Sequence, residues 1–114
     1  MTRIYKLVSR AAWKAAEASG VFNGAEIDLA DGFIHFSAAE QVEETAAKYF
    51  AGRTDLLLVA VDAVTLGAAL KWEVSRGGAL FPHLYAPLAL ENVARVDPLS
   101  VSADGLHDFS DILE

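Results

Sequence analysis

The sequence predicts an α+β fold in a single domain that covers residues 1–114. Helical patterns occur early in the chain and most strand patterns occur late, without the repeated strand–helix–strand order that builds a parallel sheet. The chain has 114 residues, of which 54% are hydrophobic, so it can bury a core without disulfides. We therefore expect a compact antiparallel β core with two helices in the N-terminal half.

The composition excludes several classes of site. The chain has no cysteine, which rules out a disulfide framework, a thiolate zinc site and a cysteine nucleophile. Its net charge is −7, from 16 acidic and 9 basic side chains, so extended nucleic-acid binding is disfavoured. A small anionic ligand would need a few cations to converge, and Lys6, Lys71 and Arg76 are the candidates.

No targeting or membrane segment is expected. The first six residues contain no apolar stretch of signal-peptide length. The longest purely apolar run, residues 56–61, is far too short to cross a bilayer. We expect a cytoplasmic protein.

The first elements have clear boundaries. Residues 3–8 alternate as a strand, and Ser9 then caps a helix in which Trp13 points inward. Gly20 is a typical helix stop. Residues 22–30 are expected to be irregular, with Asn23 and Gly24 forming a turn.

Residues 31–41, DGFIHFSAAEQ, indicate a turn, a short strand and the start of a second helix. Ser37 and Glu40 have the S-x-x-E spacing of a capping box, which predicts a helix from there to about Ala51. Alternation along the strand places Ile34 and Phe36 on one face and His35 on the other.

The later strands are short. Residues 55–62 have the composition of a buried strand, and residues 70–75 alternate as another. Pro82 and Pro87 bracket residues 83–85 and are expected to limit that strand to a short or edge piece. His83 and Tyr85 share one face of it.

The polar faces of these strands define a candidate cleft. One sheet face is expected to pack in the core and the other to line a groove. Its members are His35, Ser37, Glu73, His83 and Tyr85, with Lys6 and Gln41 nearby.

Two histidines dominate the chemistry of this cleft. Imidazole titrates near neutrality, so His35 and His83 are candidates for acid–base catalysis or ligand orientation. Glu73 lies on a half-buried strand and needs a partner. Structural roles stay open for each residue: internally satisfied histidines, a capping Ser37 and an ion-paired Glu73.

Other reaction classes lack their patterns. No H-x-H or H-x-x-x-H spacing supports a metal site, and none is expected. Ser37 lacks the G-x-S-x-G elbow of hydrolases, and Gly77-Gly78 is not part of a G-x-G-x-x-G phosphate loop.

Three ordered blocks carry a resemblance: DGFIHFSAAEQ at residues 31–41, KWEVS at residues 71–75 and FPHLYAPL at residues 81–88. They resemble the signature blocks of a small bacterial family known as domain of unknown function 952, and the resemblance extends over residues 4–96. It implies a relation to the ADP-ribosylation fold, in which a split, bent antiparallel β core is flanked by helices. In that superfamily the cleft between the half-sheets holds NAD.

The resemblance also implies site residues. His35, Glu73 and His83 would be catalytic, and Lys6, Ser37, Gln41 and Tyr85 would bind the ligand. Many family members have a histidine where this chain has Lys6, and a lysine cannot replace a neutral imidazole. Ala86 stands where many members have glycine.

Three functions remain open from the sequence. The first is a transferase or glycohydrolase acting on NAD or a related ribosyl-phosphate compound, with NAD as substrate and no other cofactor expected. The second is a non-catalytic module that binds a small anion or a peptide in the same cleft. The third is a purely structural polar network. The sequence does not indicate an oligomeric state.

Overall fold

The structure is a computed structural model that describes residues 2–110 and 112–113, with the side chain of Arg76 outside the described part. Three α-helices and eleven strands lie within these residues. The helices are α1 (Arg10–Ser19), α2 (Glu26–Asp31) and α3 (Ala39–Tyr49). The strands are β1 (Arg3–Ser9), β2 (Val21–Phe22), β3 (Ile34–His35), β4 (Ser37–Ala38), β5 (Leu56–Asp62), β6 (Leu70–Val74), β7 (Leu80–Leu84), β8 (Leu88–Ala89), β9 (Val93–Pro98), β10 (Ser100–Val101) and β11 (His107–Asp108).

The strands form four antiparallel sheets. The largest has the order β4-β1-β5-β9, and a three-stranded sheet has the order β3-β7-β6. Two short pairs, β2 with β8 and β10 with β11, complete the set. This arrangement of antiparallel sheets and helices confirms the predicted α+β class.

The central strands of the four-stranded sheet, β1 and β5, are buried on both faces. Ile4 and Val8 of β1 pack into a cluster with Trp13 of α1. Tyr5 and Leu7 point to the opposite face and pack with the buried side of α3. Each residue of β1 from Ile4 to Val8 is therefore buried, which is why its apolar pattern is nearly continuous. None of the helices within residues 2–110 has the length and hydrophobicity needed to cross a lipid bilayer.

The ends of α1 confirm the sequence prediction. Ser9 Oγ accepts a hydrogen bond from the Ala12 N–H at 3.1 Å. Gly20 ends the helix with φ of 85°, a left-handed conformation that glycine adopts without a Cβ clash.

The prediction of two helices was wrong, because α2, apart from its last residue, lies inside the segment expected to be irregular. This helix has only six residues, and its apolar side chains Ile27 and Leu29 are exposed, so it leaves no periodic pattern. Asp28 stabilises its first turn: Oδ2 accepts from the Ala25 N–H at 2.7 Å.

The predicted capping box at Ser37 was also wrong. Ser37 lies in β4, and the helix begins one residue later than expected, so Ala38 is its N-cap. The residue three positions on is then Gln41 rather than Glu40, and Gln41 Oε1 accepts from the Ala38 N–H at 2.9 Å. The helix ends at Tyr49, slightly earlier than predicted.

The strand that carries His83, predicted to be a short or edge piece, is short, with five residues, but it is central in its sheet. The carbonyl of Pro82 faces β3 and accepts from the Phe36 N–H at 3.0 Å. In an antiparallel sheet a residue directs its N–H and C=O to the same neighbour. The missing N–H therefore removes one bond toward β3 and none toward β6.

The expectation that one face of β6 packs in the core holds only in part. Trp72 and Val74 are 41% and 71% exposed, and only Leu70 on that face contacts the core cluster. The strand lies at the edge of the three-stranded sheet, where the core has ended.

Candidate functional site

A cavity of about 390 Å³ lies where the two larger sheets approach each other. Its walls come from β1, α2, α3 and the β3–β7 pair. The lining side chains are Tyr5, Lys6, Leu7, Ile27, Asp31, His35, Phe36, Ser37, Thr45, Tyr49, Phe50, Ser75, Phe81 and His83.

The cavity has a buried polar floor and an apolar rim. Lys6, Ser37 and His83 are buried. At the rim, the large side chains of Ile27 and Tyr49 are exposed and present apolar surface to solvent. A ligand that entered would therefore pass an apolar mouth and meet polar groups at depth.

His83 is held from behind by Glu73. The Nδ1 of His83 lies 2.9 Å from Glu73 Oε1, and the Tyr85 hydroxyl donates to the same oxygen at 2.7 Å. These hydrogen bonds, first that of Tyr85 and then that of His83, lower the pKa of Glu73 below its usual value. The same contact with Glu73 raises the pKa of Tyr85, which keeps its hydroxyl a donor.

This arrangement assigns a donor role to Nδ1 of His83. In the neutral tautomer whose Nδ1–H donates to the carboxylate, Nε2 is the acceptor. Among residues 2–110, no side chain or backbone group is hydrogen-bonded to Nε2. Since His83 lines the cavity, this basic nitrogen is available to a bound molecule.

Phe33 fixes the planes of both histidines. Its ring stacks on His83 with centroids 4.2 Å apart and lies 4.5 Å from the centroid of His35. His35 and His83 are direct cross-strand partners, with ring centroids at 5.5 Å. The two imidazoles are therefore held as a rigid pair at one wall of the cavity.

His35 is held by two carboxylates. Its Nδ1 lies 2.6 Å from Asp28 Oδ1, and its Nε2 lies 3.0 Å from Asp31 Oδ2. Both nitrogens can donate only when the ring is protonated. Among the described residues, no group of three or more histidine, aspartate or glutamate side chains is placed to hold a metal ion.

Lys6 is the counter-charge of Asp28. Its ammonium lies 3.0 Å from Asp28 Oδ2, 3.3 Å from Asp28 Oδ1 and 3.0 Å from the carbonyl oxygen of His35. All three of its donors are thus directed at protein oxygens. Burial lowers the pKa of Lys6, and the ion pair with Asp28 opposes that shift.

Asp28 is the centre of this network. Burial alone would raise its pKa, but hydrogen bonds from His35 and Ala25 and the charge of Lys6 lower it to about 2. Gly24 makes room for it: a Cβ at that position would lie 2.8 Å from Asp28 Cβ, and its φ is +116°. Only glycine fits there without a shift.

The pKa of Asp28 predicts a specific pH dependence of stability. Its pKa is about 2 in the folded state against 3.8 for the ordinary side chain. The stability from this group is fully present above pH ~4 and is lost as pH falls through about 2, a loss of about 2 kcal/mol. Urea denaturation at pH 5 and pH 2 would measure it, with Asp28→Asn as the comparison. Equal acid losses in both proteins would contradict the assignment.

The remaining predicted residues lie in different places. Ser37 forms part of the cavity wall, and its Oγ lies 3.3 Å from Thr45 Oγ1. Gln41 lies outside this cavity, where its Nε2 donates to the Leu80 carbonyl at 2.8 Å. Glu73 and Tyr85 stand behind His83 rather than at the cavity surface. The structure therefore brings Lys6, His35, Ser37 and His83 to one cavity.

Sequence reasoning missed Asp28 and Asp31. One signal could have pointed to a carboxylate: Lys6 stands in a strand whose neighbours are all apolar, and a buried ammonium needs a counter-charge. The sequence could not choose among the three acidic residues of the segment that forms α2.

The comparisons with known proteins agree with this fold. Residues 7–96 match the family described as "Protein of unknown function (DUF952)". The crystal structure of protein CC0527 from Caulobacter crescentus is 57% identical over 96% of each chain, with a TM-score of 0.93. Its solution NMR structure is 57% identical over 99% of this chain and 97% of that one, with a TM-score of 0.89. A double-mutant crystal structure of the same protein is 56% identical over 96% of each chain, also with a TM-score of 0.93.

No curated protein matches the chain. The family match covers most of the sequence, and the solved structures share its fold along nearly the whole length. By these matches, the chain belongs to the DUF952 family.

Proposed function

We propose that the cavity binds a small ribosyl compound and that His83, oriented by Glu73, acts on it as a base. The observation that carries this proposal is the contact of 2.9 Å between His83 Nδ1 and Glu73 Oε1 in a side chain that lines the cavity. A carboxylate that holds one imidazole nitrogen and leaves the other as an acceptor is the usual arrangement of a general base.

The lining favours a ligand that carries both a ring and hydroxyl groups. Five aromatic side chains offer apolar surface, and Ser37, Thr45 and Ser75 offer hydroxyls. A volume of about 390 Å³ lies toward the low end of ligand pockets, roughly 300–1,000 Å³. It suits a ribose with one attached ring better than a complete dinucleotide.

NAD as the substrate, and a relation to the ADP-ribosylation fold, belong to the same proposal. They rest on the resemblance of the three sequence blocks. In that fold NAD lies between two half-sheets, and this cavity lies where two antiparallel sheets approach each other. The nicotinamide and its ribose would enter first, with the rest of the molecule at the rim beside Ile27 and Tyr49.

The other site residues take supporting roles in this proposal. Glu73 and Tyr85 position His83, and Lys6 acts through Asp28 on His35. Gln41 joins the start of α3 to β7, so it positions the cavity wall rather than the ligand. His35 and Ser37 remain to contact the ligand directly.

Calorimetric titration with NAD and with nicotinamide riboside tests the proposal. We expect both to bind, and a ligand at 100 times its Kd should stabilise the fold by about 2.7 kcal/mol, which raises Tm by several degrees. His83→Ala should weaken both. The absence of heat and of any Tm change at millimolar concentrations of both compounds would overturn the proposal.

The second candidate is a non-catalytic binding module for a small anion or a peptide. One observation favours it over catalysis by both histidines: His35 has a carboxylate at each ring nitrogen and so is not available as a second base. In that case no turnover would be measured even with the wild type. Glu73→Gln would leave ligand affinity nearly unchanged, whereas His83→Ala would still reduce it.

A further inference from the structure

The outer edge of β6 is open. The sheet order β3-β7-β6 leaves this strand with one neighbour, and residues 2–110 supply no strand on its other side. An open edge presents unpaired N–H and C=O groups that can bind another strand.

The hydrogen-bond pattern shows which groups point outward. On the inner side, the Tyr85 N–H donates to the Ala69 carbonyl at 2.8 Å, and the Ser75 N–H donates to the Ala79 carbonyl at 2.9 Å. Ala69 and Ser75 are both odd-numbered, and the bonded positions of an antiparallel pair alternate. The even-numbered residues Trp72 and Val74 therefore direct their N–H and C=O groups to the open edge. Leu70 adds only its C=O there, because its N–H donates to the Gly67 carbonyl.

The side chains at this edge are apolar on one face and charged on the other. Trp72 is 41% exposed and Val74 is 71% exposed, beside Leu80, which is 51% exposed. Lys71 and Glu73 alternate with them and lie on the opposite face. A strand that added to this edge would have to offer a matching apolar stripe and opposite charges in reverse order.

We propose that this partner is a second copy of the chain, which pairs its own β6 antiparallel to this one with Trp72 on the two-fold axis. In this register Trp72 faces the partner's Trp72, and Leu70 faces the partner's Val74. Lys71 then faces the partner's Glu73, and Glu73 faces the partner's Lys71. The strand is therefore complementary to itself in charge and in apolar character.

The backbone restricts the register. A symmetric pair must join outward-facing groups to outward-facing groups, so its axis can pass through any one of the residues 70–74 but not between two of them. Of these, Trp72 alone pairs all five residues of β6 and sets both lysines against glutamates. In this register Lys71 and the partner's Glu73 form a non-hydrogen-bonded pair. The Cα atoms of such a pair lie about 4.5 Å apart, the closest side-chain approach in a sheet.

The pairing would join two three-stranded sheets into one of six strands. It would also bring the partner's Lys71 beside Glu73, the residue that holds His83. Glu73 uses Oε1 for both of its hydrogen bonds, and among residues 2–110 nothing is bonded to Oε2. The partner's charge would thus act on the residue behind the cavity, although the pairing does not depend on the proposed function.

Sedimentation equilibrium tests the pairing with the full chain. We expect the wild type to have the mass of two chains at about 0.1 to 1 mM, concentrations high enough to populate a weak interface. Trp72→Lys sets two like charges on the axis and Lys71→Glu sets two carboxylates opposite each other, so both should give one chain. Val64→Lys, at a 74% exposed site outside β6, should stay dimeric. A wild type with the mass of one chain would overturn the proposal.

Cross-linking tests the register. The chain has no cysteine, so a single introduced cysteine can form disulfides only between copies. Trp72→Cys should cross-link under mild oxidation, because paired Cα atoms about 5.5 Å apart lie within disulfide range. Val74→Cys should stay unlinked, since four residues of offset place the two sites about 13 Å apart. Cross-linking of Val74→Cys in place of Trp72→Cys, or of neither, would overturn the register.

Discussion

Replacing Asp28 with alanine is expected to lower the free energy of unfolding by about 3–5 kcal/mol, the usual result of leaving a buried charge without its partner. The side chain of Asp28 is 1% exposed and that of Lys6 is 8% exposed. The substitution would leave the Lys6 ammonium buried and remove the acceptor of His35 Nδ1 and of the Ala25 N–H. Because a domain of this size is stable by about 5–15 kcal/mol, the variant should be close to unfolding. Urea denaturation at pH 7 measures the difference.

Asp31→Ala is the matched control. Asp31 also contacts His35, at 3.0 Å, but its side chain is 46% exposed. An exposed ion pair contributes about 0–1 kcal/mol. In a further variant, Lys6→Met should restore part of the stability lost in Asp28→Ala, because it removes the unpaired charge. Equal losses in the two aspartate variants, or no recovery with Lys6→Met, would contradict the role given to Asp28.

Glu73→Gln is expected to reduce turnover of the ribosyl substrate by about 10²–10⁴-fold, the range for loss of general base catalysis. Glutamine is nearly isosteric and can still accept from Tyr85, but its amide has no charge to hold the proton on His83 Nδ1. Since Glu73 does not line the cavity, Kd for the substrate should change little. Single-turnover kinetics together with calorimetry separate the two quantities.

Two comparisons make this result specific. Glu91→Gln alters an exposed carboxylate that does not line the cavity and should leave turnover unchanged. Tyr85→Phe removes one of the two donors to Glu73 and should have a smaller effect than Glu73→Gln. If the turnover of Glu73→Gln equals that of the wild type, His83 is not a base oriented by this carboxylate.

The parts of the fold predicted from sequence are those set by short-range chemistry. Ser9 and Gly20 mark the ends of α1 because a capping hydroxyl and a left-handed glycine act within a few residues. Ser37 failed as a cap for a different reason. Its strand pairing with β1 extends through that position, and Gln41 caps the helix one residue further on.

The candidate site was predictable only where strand alternation governs it. His35 and His83 were placed on polar faces, and they prove to be direct cross-strand partners. Asp28 was not predicted as a site residue because its partner Lys6 is 22 residues away, and no local sequence pattern indicates that contact. The apolar residues of the short helix α2 are exposed, so its hydrophobic pattern does not indicate that Asp28 is buried.

Alternation also fails to separate a core face from an apolar surface. Leu70, Trp72 and Val74 share one face of β6, which indicated burial. The core ends at Leu70, so the remaining two side chains reach solvent. The same pattern thus predicts either a buried face or a docking surface, and the position of the strand in the sheet decides between them.

The most direct test of the cavity as a ligand site is a titration of isotope-labelled protein with nicotinamide riboside, followed by NMR. Binding in the cavity should shift the amide signals of Ser37, Thr45 and Phe81 and the Nε2 resonance of His83. The amide of Val64, which does not line the cavity, should not move. Saturable shifts confined to the lining residues are the predicted result, and unchanged spectra, or shifts that cluster away from the cavity, would contradict it.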